Sequence, residues 1–411
     1  AVVPLLGGLS GVNVMARELA ETLGVAAAIT TSGELRFGTC LLNPPEGYAL
    51  ADIEQGKRFV SDLLAGEAVR IEGHAPWLAQ AQLPASEAAQ RTIHVGSSAR
   101  PASRDELLIH PRSVLVAVEA VGPGLAERVR GALHEAGIAE QSLACLLAAE
   151  QAMAEPALQD AAQALGVAVR FASTASTLAT MAGDALPGAR LIEQPGLVIA
   201  VASAPIEADR VGRKRGRLAV IGLGPGAAEL MVPAVKAELA RAEDVLGYET
   251  YVRMAGPFRA DQVLHCTDNR EEMQRARHAF ELAAQGRSVV VVSSGDPGVF
   301  AMAAAVLEAL HASSDPAWHR VDLHILPGVS ASLATAAQAG APLGHDFCVM
   351  SLSDNLKPWS IIEKRLDLAA QADLVLAFYN PISKSRPHQL GVALEVVRRH
   401  REGNTPVVLG R

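Results

Sequence analysis

Cysteine is scarce in this 411-residue chain, and its few copies are scattered. Cys40, Cys145, Cys266 and Cys348 contain no CxxC pair, so neither a disulfide framework nor a zinc-ligand spacing is present, and a reducing cytoplasm is the natural location. No signal peptide is visible at the start. A membrane span is lacking too. The longest uncharged stretch, residues 325–344, is broken by Pro327, Gly328, Gln338, Gly340 and Pro342, and reads as a buried strand, loop and helix. Nor is there any basic excess. The net charge of −8 argues against nucleic acid or an anionic membrane as the main partner, and an acidic ligand would need a locally basic pocket.

The composition, 50% hydrophobic and 19% charged, is that of a soluble globular enzyme. The length is too great for one ordinary core, so two or three domains are expected. Both ends read as cut. Ala1 opens inside an apolar run without a methionine, and Val407-Val408-Leu409 reads as a core strand just beginning.

Strand-like apolar runs alternate with Ala/Leu-rich helical stretches, which gives an α/β fold class. Residues 1–6 read as a strand end, Gly7-Gly8 as its turn and 13–23 as a helix, closing a first domain at residue 30. Residues 31–107, rich in Pro, Gly, Ser and Gln and weak in periodicity, are expected to be a small or irregular middle domain. A compact α/β domain over 108–205 is expected next, with strands at 114–118, 143–147, 167–171 and 197–202 and helices at 124–136 and 156–165. The run Arg210-Val211-Gly212-Arg213-Lys214-Arg215-Gly216-Arg217 reads as a solvated linker (206–216), because no aromatic residues interleave with its charges. A new pattern begins at residue 217 and continues to 411.

In that last part, predicted strands end in turns of small or polar residues, and in open α/β sheets ligands bind at the carboxyl ends of strands. Leu218-Ala219-Val220-Ile221 leads into Gly222-Leu223-Gly224-Pro225-Gly226. This is no Walker loop, since no Gly-Lys-Ser/Thr follows, and no dinucleotide fingerprint, since the glycines are spaced G-x-G-x-G and Pro225 intrudes. The valines Val289-Val290-Val291-Val292 read as a strand buried on both faces, followed by Ser293-Ser294-Gly295-Asp296-Pro297-Gly298-Val299-Phe300. Leu323-His324-Ile325-Leu326 precedes Pro327-Gly328-Val329-Ser330-Ala331, and Leu374-Val375-Leu376-Ala377-Phe378-Tyr379 precedes Asn380-Pro381. A tight turn at the first loop and a helix cap at Asp296 are the structural readings. Taken together, the loops describe the rim of a pocket.

These loops closely resemble the tetrapyrrole (precorrin) methylases, which use S-adenosylmethionine. The resemblance lies in Gly222 to Gly226, Ser294-Gly295-Asp296-Pro297 and Pro327-Gly328-Val329-Ser330-Ala331, and it covers residues 217–411. Asp268-Asn269-Arg270-Glu271-Glu272-Met273, Gly340-Ala341-Pro342-Leu343-Gly344-His345-Asp346-Phe347-Cys348, Ser351-Leu352-Ser353-Asp354 and Tyr379-Asn380-Pro381 look like the branch acting on precorrin-3B. The resemblance implies two α/β lobes, the second truncated here, with S-adenosylmethionine in the cleft between them and a homodimer as the usual assembly. It implies that Pro225, Ser294, Gly295, Asp296, Ser330, Ala331 and Asn380 border the cofactor and that Gly224 borders the substrate trough. The reaction implied is methylation of carbon 17 of precorrin-3B with ring contraction to precorrin-4. The alternatives are the cobalt-bearing substrate, or a bifunctional chain that also opens the lactone of cobalt-precorrin-5A. No metal is required for the transfer itself. Contraction needs a proton removed from a hydroxyl, and His345 and Asp346 are the candidate bases, with a structural loop histidine as the other reading of His345. Arg270, Arg275, Lys357 and Arg386 are candidates to face the substrate's carboxylates, each of them also readable as a surface charge.

The front part resembles the cobalamin biosynthesis lactonases, through Val3-Pro4-Leu5-Leu6-Gly7-Gly8, Gly11-Val12-Asn13, Ile29-Thr30-Thr31 and residues 108–205. Leu9 and Ser10 stand where that family usually has histidine after the paired glycines, which implies an inactive or accessory module.

Overall fold

The stretch of weak periodicity after residue 38 is not irregular. It holds strands β1 (Tyr48–Leu50), β2 (Val69–Glu72), β3 (Arg91–Val95) and β4 (Glu106–Pro111), in the sheet order β1-β4-β3-β2. Strands only three to six residues long give too few alternations to be seen in sequence. The helix Ile53–Leu64 covers this sheet; Asp52 caps it by accepting from the amides of Glu54 and Gln55. Phe59, Val60 and Leu63 pack there with Ile93, Leu107 and Ile109. The computed structural model describes residues 12–25, 38–119, 122–173, 177–268, 271–383 and 386–410. The strand end expected at 1–6 and the Gly7-Gly8 turn therefore lie outside the described residues, while the helix expected after them is present as Val12–Thr22.

A second sheet of the same unit joins β5 (Val114–Val118), β6 (Leu143–Ala149), β7 (Ala168–Ala172), β8 (Arg190–Gln194) and β9 (Leu197–Val201) in the order β7-β6-β5-β9-β8. β5, β6 and β7 run parallel, and β9 runs antiparallel to its two neighbours, β5 and β8. β8 shows no strand pattern in the sequence, because Arg190, Glu193 and Gln194 leave it only two apolar residues, Leu191 and Ile192, on an edge that is mostly exposed. The basic run is also not a free linker as far as Arg213. Val211 is buried, and the Arg213 backbone exchanges two hydrogen bonds of 2.8 Å with Phe171. Beneath it, buried Arg170 donates to the Val211 carbonyl at 2.7 Å and the Asp209 carbonyl at 3.0 Å. The chain divides into two compact units between Arg215 and Gly216.

The second unit is organised by its valines. β10 (Arg217–Gly222), β11 (Asp244–Tyr248), β12 (Val263–Thr267), β13 (Ser288–Ser293) and β14 (Asp322–Leu326) form a parallel sheet in the order β12-β11-β13-β10-β14. Strand geometry sends alternate side chains to opposite faces. Leu218, Val220, Val289 and Val291 meet the helices Glu272–Ala284 and Met302–His311 on one face, whereas Ala219, Ile221, Val290 and Val292 meet Pro233–Arg241 and Glu249–Ala255 on the other. At the amino end of the sheet, Arg217 grips Glu238 with two hydrogen bonds (3.0 and 2.8 Å) and Asp322 with a third (2.6 Å), fixing edge strand β14 to β10. A smaller lobe follows, in which β15 (Phe347–Ser351) pairs in parallel with β16 (Val375–Tyr379). The helices Trp359–Gln371 and Gln389–Arg398 supply its core through Ile362, Leu366, Ala393 and Val396. Two expectations need correction. Residues 325–344 do form strand, loop and helix, but β14 is only half-buried because it lies at an edge. Val407, Val408 and Leu409 are exposed irregular chain, not a strand.

Phe280 is fully buried and stacks on Trp318 with ring centroids 5.1 Å apart. Phe280→Ala is expected to destabilise the second unit by about 3–5 kcal/mol, read from urea unfolding. In the first unit, the Ser103 amide, Arg100 and His94 hold the Glu106 carboxyl down at about 2. A depressed carboxyl stabilises the fold above its unfolded value of 4.5 and stops doing so as pH falls toward about 2. Wild type should therefore lose stability across that window, and Glu106→Gln should flatten the slope in acid titrations followed by circular dichroism.

Candidate functional site

The strand order of the second unit creates a crevice. From β10 the chain crosses toward β11, whereas from β13 it crosses the other way, over β10, to β14. β10 and β13 are adjacent, so their outgoing loops part at a topological switch point, the usual ligand position in an open α/β sheet.

Glycine makes the junction of these loops possible. The Gly224 amide donates to the Gly295 carbonyl (3.1 Å) and the Gly295 amide to the Gly224 carbonyl (2.8 Å). A Cβ on Gly222 would collide with the Gly295 carbonyl and come within 2.8 Å of the Gly328 amide nitrogen. One on Gly328 would collide with the Gly295 carbonyl and stand 2.6 Å from that of Gly222. The backbones of the loops after β10, β13 and β14 are therefore in direct contact, and no larger residue fits between them.

Asp296 locks this contact. Its Oδ1 accepts from the Gly298 amide at 2.8 Å, shaping its own turn, and its Oδ2 accepts from the Gly328 amide at 3.1 Å. It does not cap the next helix, whose N-cap is Ala301. Pro225 and Ser294 are half-buried beside the junction, with Gly224 and Gly295 beneath. Ser330 is buried at the start of the helix Ala331–Gln338, and Ala331 is exposed there.

The remaining wall comes from the small lobe. A groove of about 380 Å³ is lined by Gly298, Val299, Phe300, Ser330, Ser332, Leu333, Phe347 and Val349. Phe300, 51% exposed, is held at a φ of +53°, a conformation rare for a residue with a side chain. Asn380 follows β16 at a φ of +52° and donates from Nδ2 to Ser351 Oγ at 3.1 Å. The structure thus brings the loops carrying Pro225, Ser294, Gly295, Asp296, Ser330 and Ala331 to one end of the sheet. The Tyr379 hydroxyl, one residue before Asn380, reaches the same end by bonding Ser332. Phe300, Leu333, Phe347 and Val349 were not singled out in the sequence, since apolar side chains there read equally as core.

The charged candidates divide. Arg275 is 3% exposed, and its guanidinium is spent on Thr267 Oγ1 (2.7 Å), the Asp268 carbonyl (2.7 Å) and Met302 Sδ (3.1 Å). Burial pulls its pKa below the usual guanidinium value. It supports a loop and does not face a ligand, which corrects the expectation that it meets substrate carboxylates. A hollow of about 500 Å³ above it is lined by Tyr248, Glu249, Cys266, Thr267, Asp268 and Glu271, whose acidic groups would repel a polycarboxylate. Arg270 lies outside the described residues. Arg386 is half-buried, with Nε 3.7 Å from Asp354 and Nη1 donating to Gln389 at 3.4 Å; Lys357 is half-buried on the segment between β15 and the next helix. His345 and Asp346 are exposed in the turn immediately before Phe347 but are not among the residues that line the groove.

Residues 217–411 match the family model of the tetrapyrrole (corrin/porphyrin) methylases. The chain is 53% identical over 197 residues to the precorrin-3B C(17)-methyltransferase of Sinorhizobium sp, a match covering 48% of this chain and 76% of that protein. The chain belongs to the tetrapyrrole methylase family. It is also 50% identical over 204 residues to cobalamin biosynthesis protein CobIJ of Mycobacterium tuberculosis, covering 49% of this chain and 39% of that one. Among solved structures, that of the methyltransferase CobJ is 58% identical over 46% of this chain and 77% of its own, with a TM-score of 0.44.

Asp296→Ala would leave the Gly298 and Gly328 amides without their acceptor. We expect it to destabilise the second unit by about 1–3 kcal/mol in urea unfolding. Asp296→Asn, which keeps one acceptor oxygen, should fall between the variant and wild type.

Proposed function

We propose that residues 217–411 transfer a methyl group from S-adenosylmethionine to carbon 17 of precorrin-3B, with contraction of the macrocycle to precorrin-4. The observation that carries this reading is the contact of the three glycine loops at the switch point, in a chain 53% identical over 197 residues to a relative bearing that activity in its name.

The groove suits the cofactor. Its volume, about 380 Å³, falls within the range of small-ligand sites. Phe300, Leu333, Phe347 and Val349 offer apolar surface for a flat base and a thioether-like chain, and Ser330 and Ser332 offer polar groups. Bound S-adenosylmethionine supplies an already electrophilic methyl, so the protein's task is alignment and exclusion of water. In this reading Pro225, Ser294, Gly295, Ser330, Ala331 and Asn380 border the cofactor, and Asp296 acts on it by holding the turn at Gly298 and the Gly328 loop in place. Gly224 faces the substrate, whose carboxylates meet Lys357 and Arg386 on the small lobe. His345, beside Phe347, takes the hydroxyl proton whose removal drives contraction, with Asp346 as its neighbour or substitute.

The assembly is a homodimer through the methylase unit, in the cytoplasm; no helix among the described residues is long and apolar enough to cross a membrane. The front part, residues 1–205, is an accessory lactonase-like module that has lost hydrolysis with the missing imidazole at Leu9-Ser10.

Mass spectrometry of products decides the reading. Incubated with S-adenosylmethionine and precorrin-3B, the full-length protein should yield one added methyl group and a contracted ring, and the cobalt-bearing substrate should react more slowly. An unmethylated precorrin-3B alongside a methylated cobalt substrate would move the assignment to the cobalt branch. Acetaldehyde release from cobalt-precorrin-5A would restore a hydrolytic role to the front part.

A further inference from the structure

We propose that Tyr379 is a positioning residue for cofactor binding: from the small lobe it caps the helix that begins at the third glycine loop, and so sets the spacing of the two lobes around the groove. The ligand side of this inference rests on the function proposed above; the latch itself does not.

Helix starts leave amide groups without intrahelical partners, usually satisfied by the N-cap side chain. The helix Ala331–Gln338 begins after Ser330, whose side chain makes no such bond. The acceptor comes instead from 47 residues away: the Ser332 amide donates to the Tyr379 hydroxyl at 2.9 Å. That hydroxyl in turn donates to Ser332 Oγ at 3.0 Å, so its donor and one acceptor position are both used on a single residue of the large lobe. The same ring meets Phe300 at a centroid distance of 5.6 Å and a tilt of 56°. Phe300 ends the turn that Asp296 shapes, and its left-handed backbone is sustained only where neighbours hold it.

One side chain therefore touches both the loop after β13 and the helix after β14, while its backbone ends β16. On the small lobe it is anchored just as firmly. Its carbonyl accepts from the Leu352 amide at 2.9 Å, and neighbouring Asn380 bonds Ser351. The cap exists only when the lobes stand at this separation. Any ligand gripped by Ser330 on one side and Asn380 on the other is bound with the cap closed, so ligand affinity and cap formation are coupled. Phenylalanine at 379 would keep the ring contact with Phe300 but leave the Ser332 amide without its acceptor.

The full-length protein is examined as Tyr379→Phe, Ser332→Ala, Ser332→Thr and the double variant Tyr379→Phe/Ser332→Ala. Without ligand, hydrogen exchange at the amides of residues 331–333 should speed up about tenfold in Tyr379→Phe, the loss of one hydrogen bond. Titration with S-adenosylhomocysteine should weaken by a similar factor, about tenfold, with Ser332→Ala intermediate, Ser332→Thr near wild type, and the double variant no weaker than Tyr379→Phe alone. In turnover, KM for S-adenosylmethionine should rise while kcat changes less than about twofold, a split that simple loss of folded enzyme would not give. Unchanged exchange at 331–333 in Tyr379→Phe overturns the latch. Faster exchange with unchanged cofactor affinity overturns its positioning role. A wild type that binds no S-adenosylhomocysteine sinks the functional reading, while the exchange result still decides the latch.

Discussion

Everything at the active end of the second unit depends on three peptide backbones touching where side chains would normally keep them apart. Gly222, Gly295 and Gly328 each end or follow a strand of the parallel sheet; a Cβ on Gly222 or Gly328 would collide with the Gly295 carbonyl, and Gly295 itself holds a left-handed φ of +64°. Close-packed interiors do not absorb such a collision without moving the strands behind it. The Asp296 carboxylate converts proximity into attachment by accepting from the amides of two loops. The sheet behind is stiff enough to impose this geometry, because the valines of β13 are buried on both faces between helix pairs.

The small lobe contributes the complementary surface. β15 and β16 form a two-stranded pair whose residues are mostly half-buried: Cys348, Met350, Leu376 and Phe378 pack on the lobe's own core, whereas Phe347 and Val349 of β15 line the groove. An apolar slot at the edge of a polar, glycine-rich floor separates two tasks. The floor is held rigid by its own backbone hydrogen bonds, and the slot presents the exposed apolar faces of Phe300, Leu333 and Phe347. Preorganisation of that kind is what a transfer from an already activated donor requires.

Much of this was readable beforehand, for definite reasons. The valine run and the loop motifs after β10, β13 and β14 are local signals, and local signals fix strands, turns and their family likeness. The short strands β1 to β4 escaped because three to six residues hold too few alternations, and β8 because its exposed edge is polar. Arg275 was misplaced for another reason: only tertiary structure shows that Thr267, Asp268 and Met302 surround it. Tyr379 stands in the Tyr379-Asn380-Pro381 motif, but its bond to Ser332 spans 47 residues that no periodicity connects. With aromatics at only 4% of the chain, Phe300 in a glycine-rich loop is the local sequence signal of the groove.

The central claim is that the glycine junction is the floor of a ligand site and not merely a tight piece of packing. Calorimetric titration of the full-length protein with S-adenosylhomocysteine, wild type against Gly222→Ala, tests it most directly. The account predicts one binding event per chain in wild type and a loss of about tenfold or more in the variant while its circular dichroism is retained. Equal affinity in the two proteins would contradict it, since the ligand would then be indifferent to the contact on which the site is built.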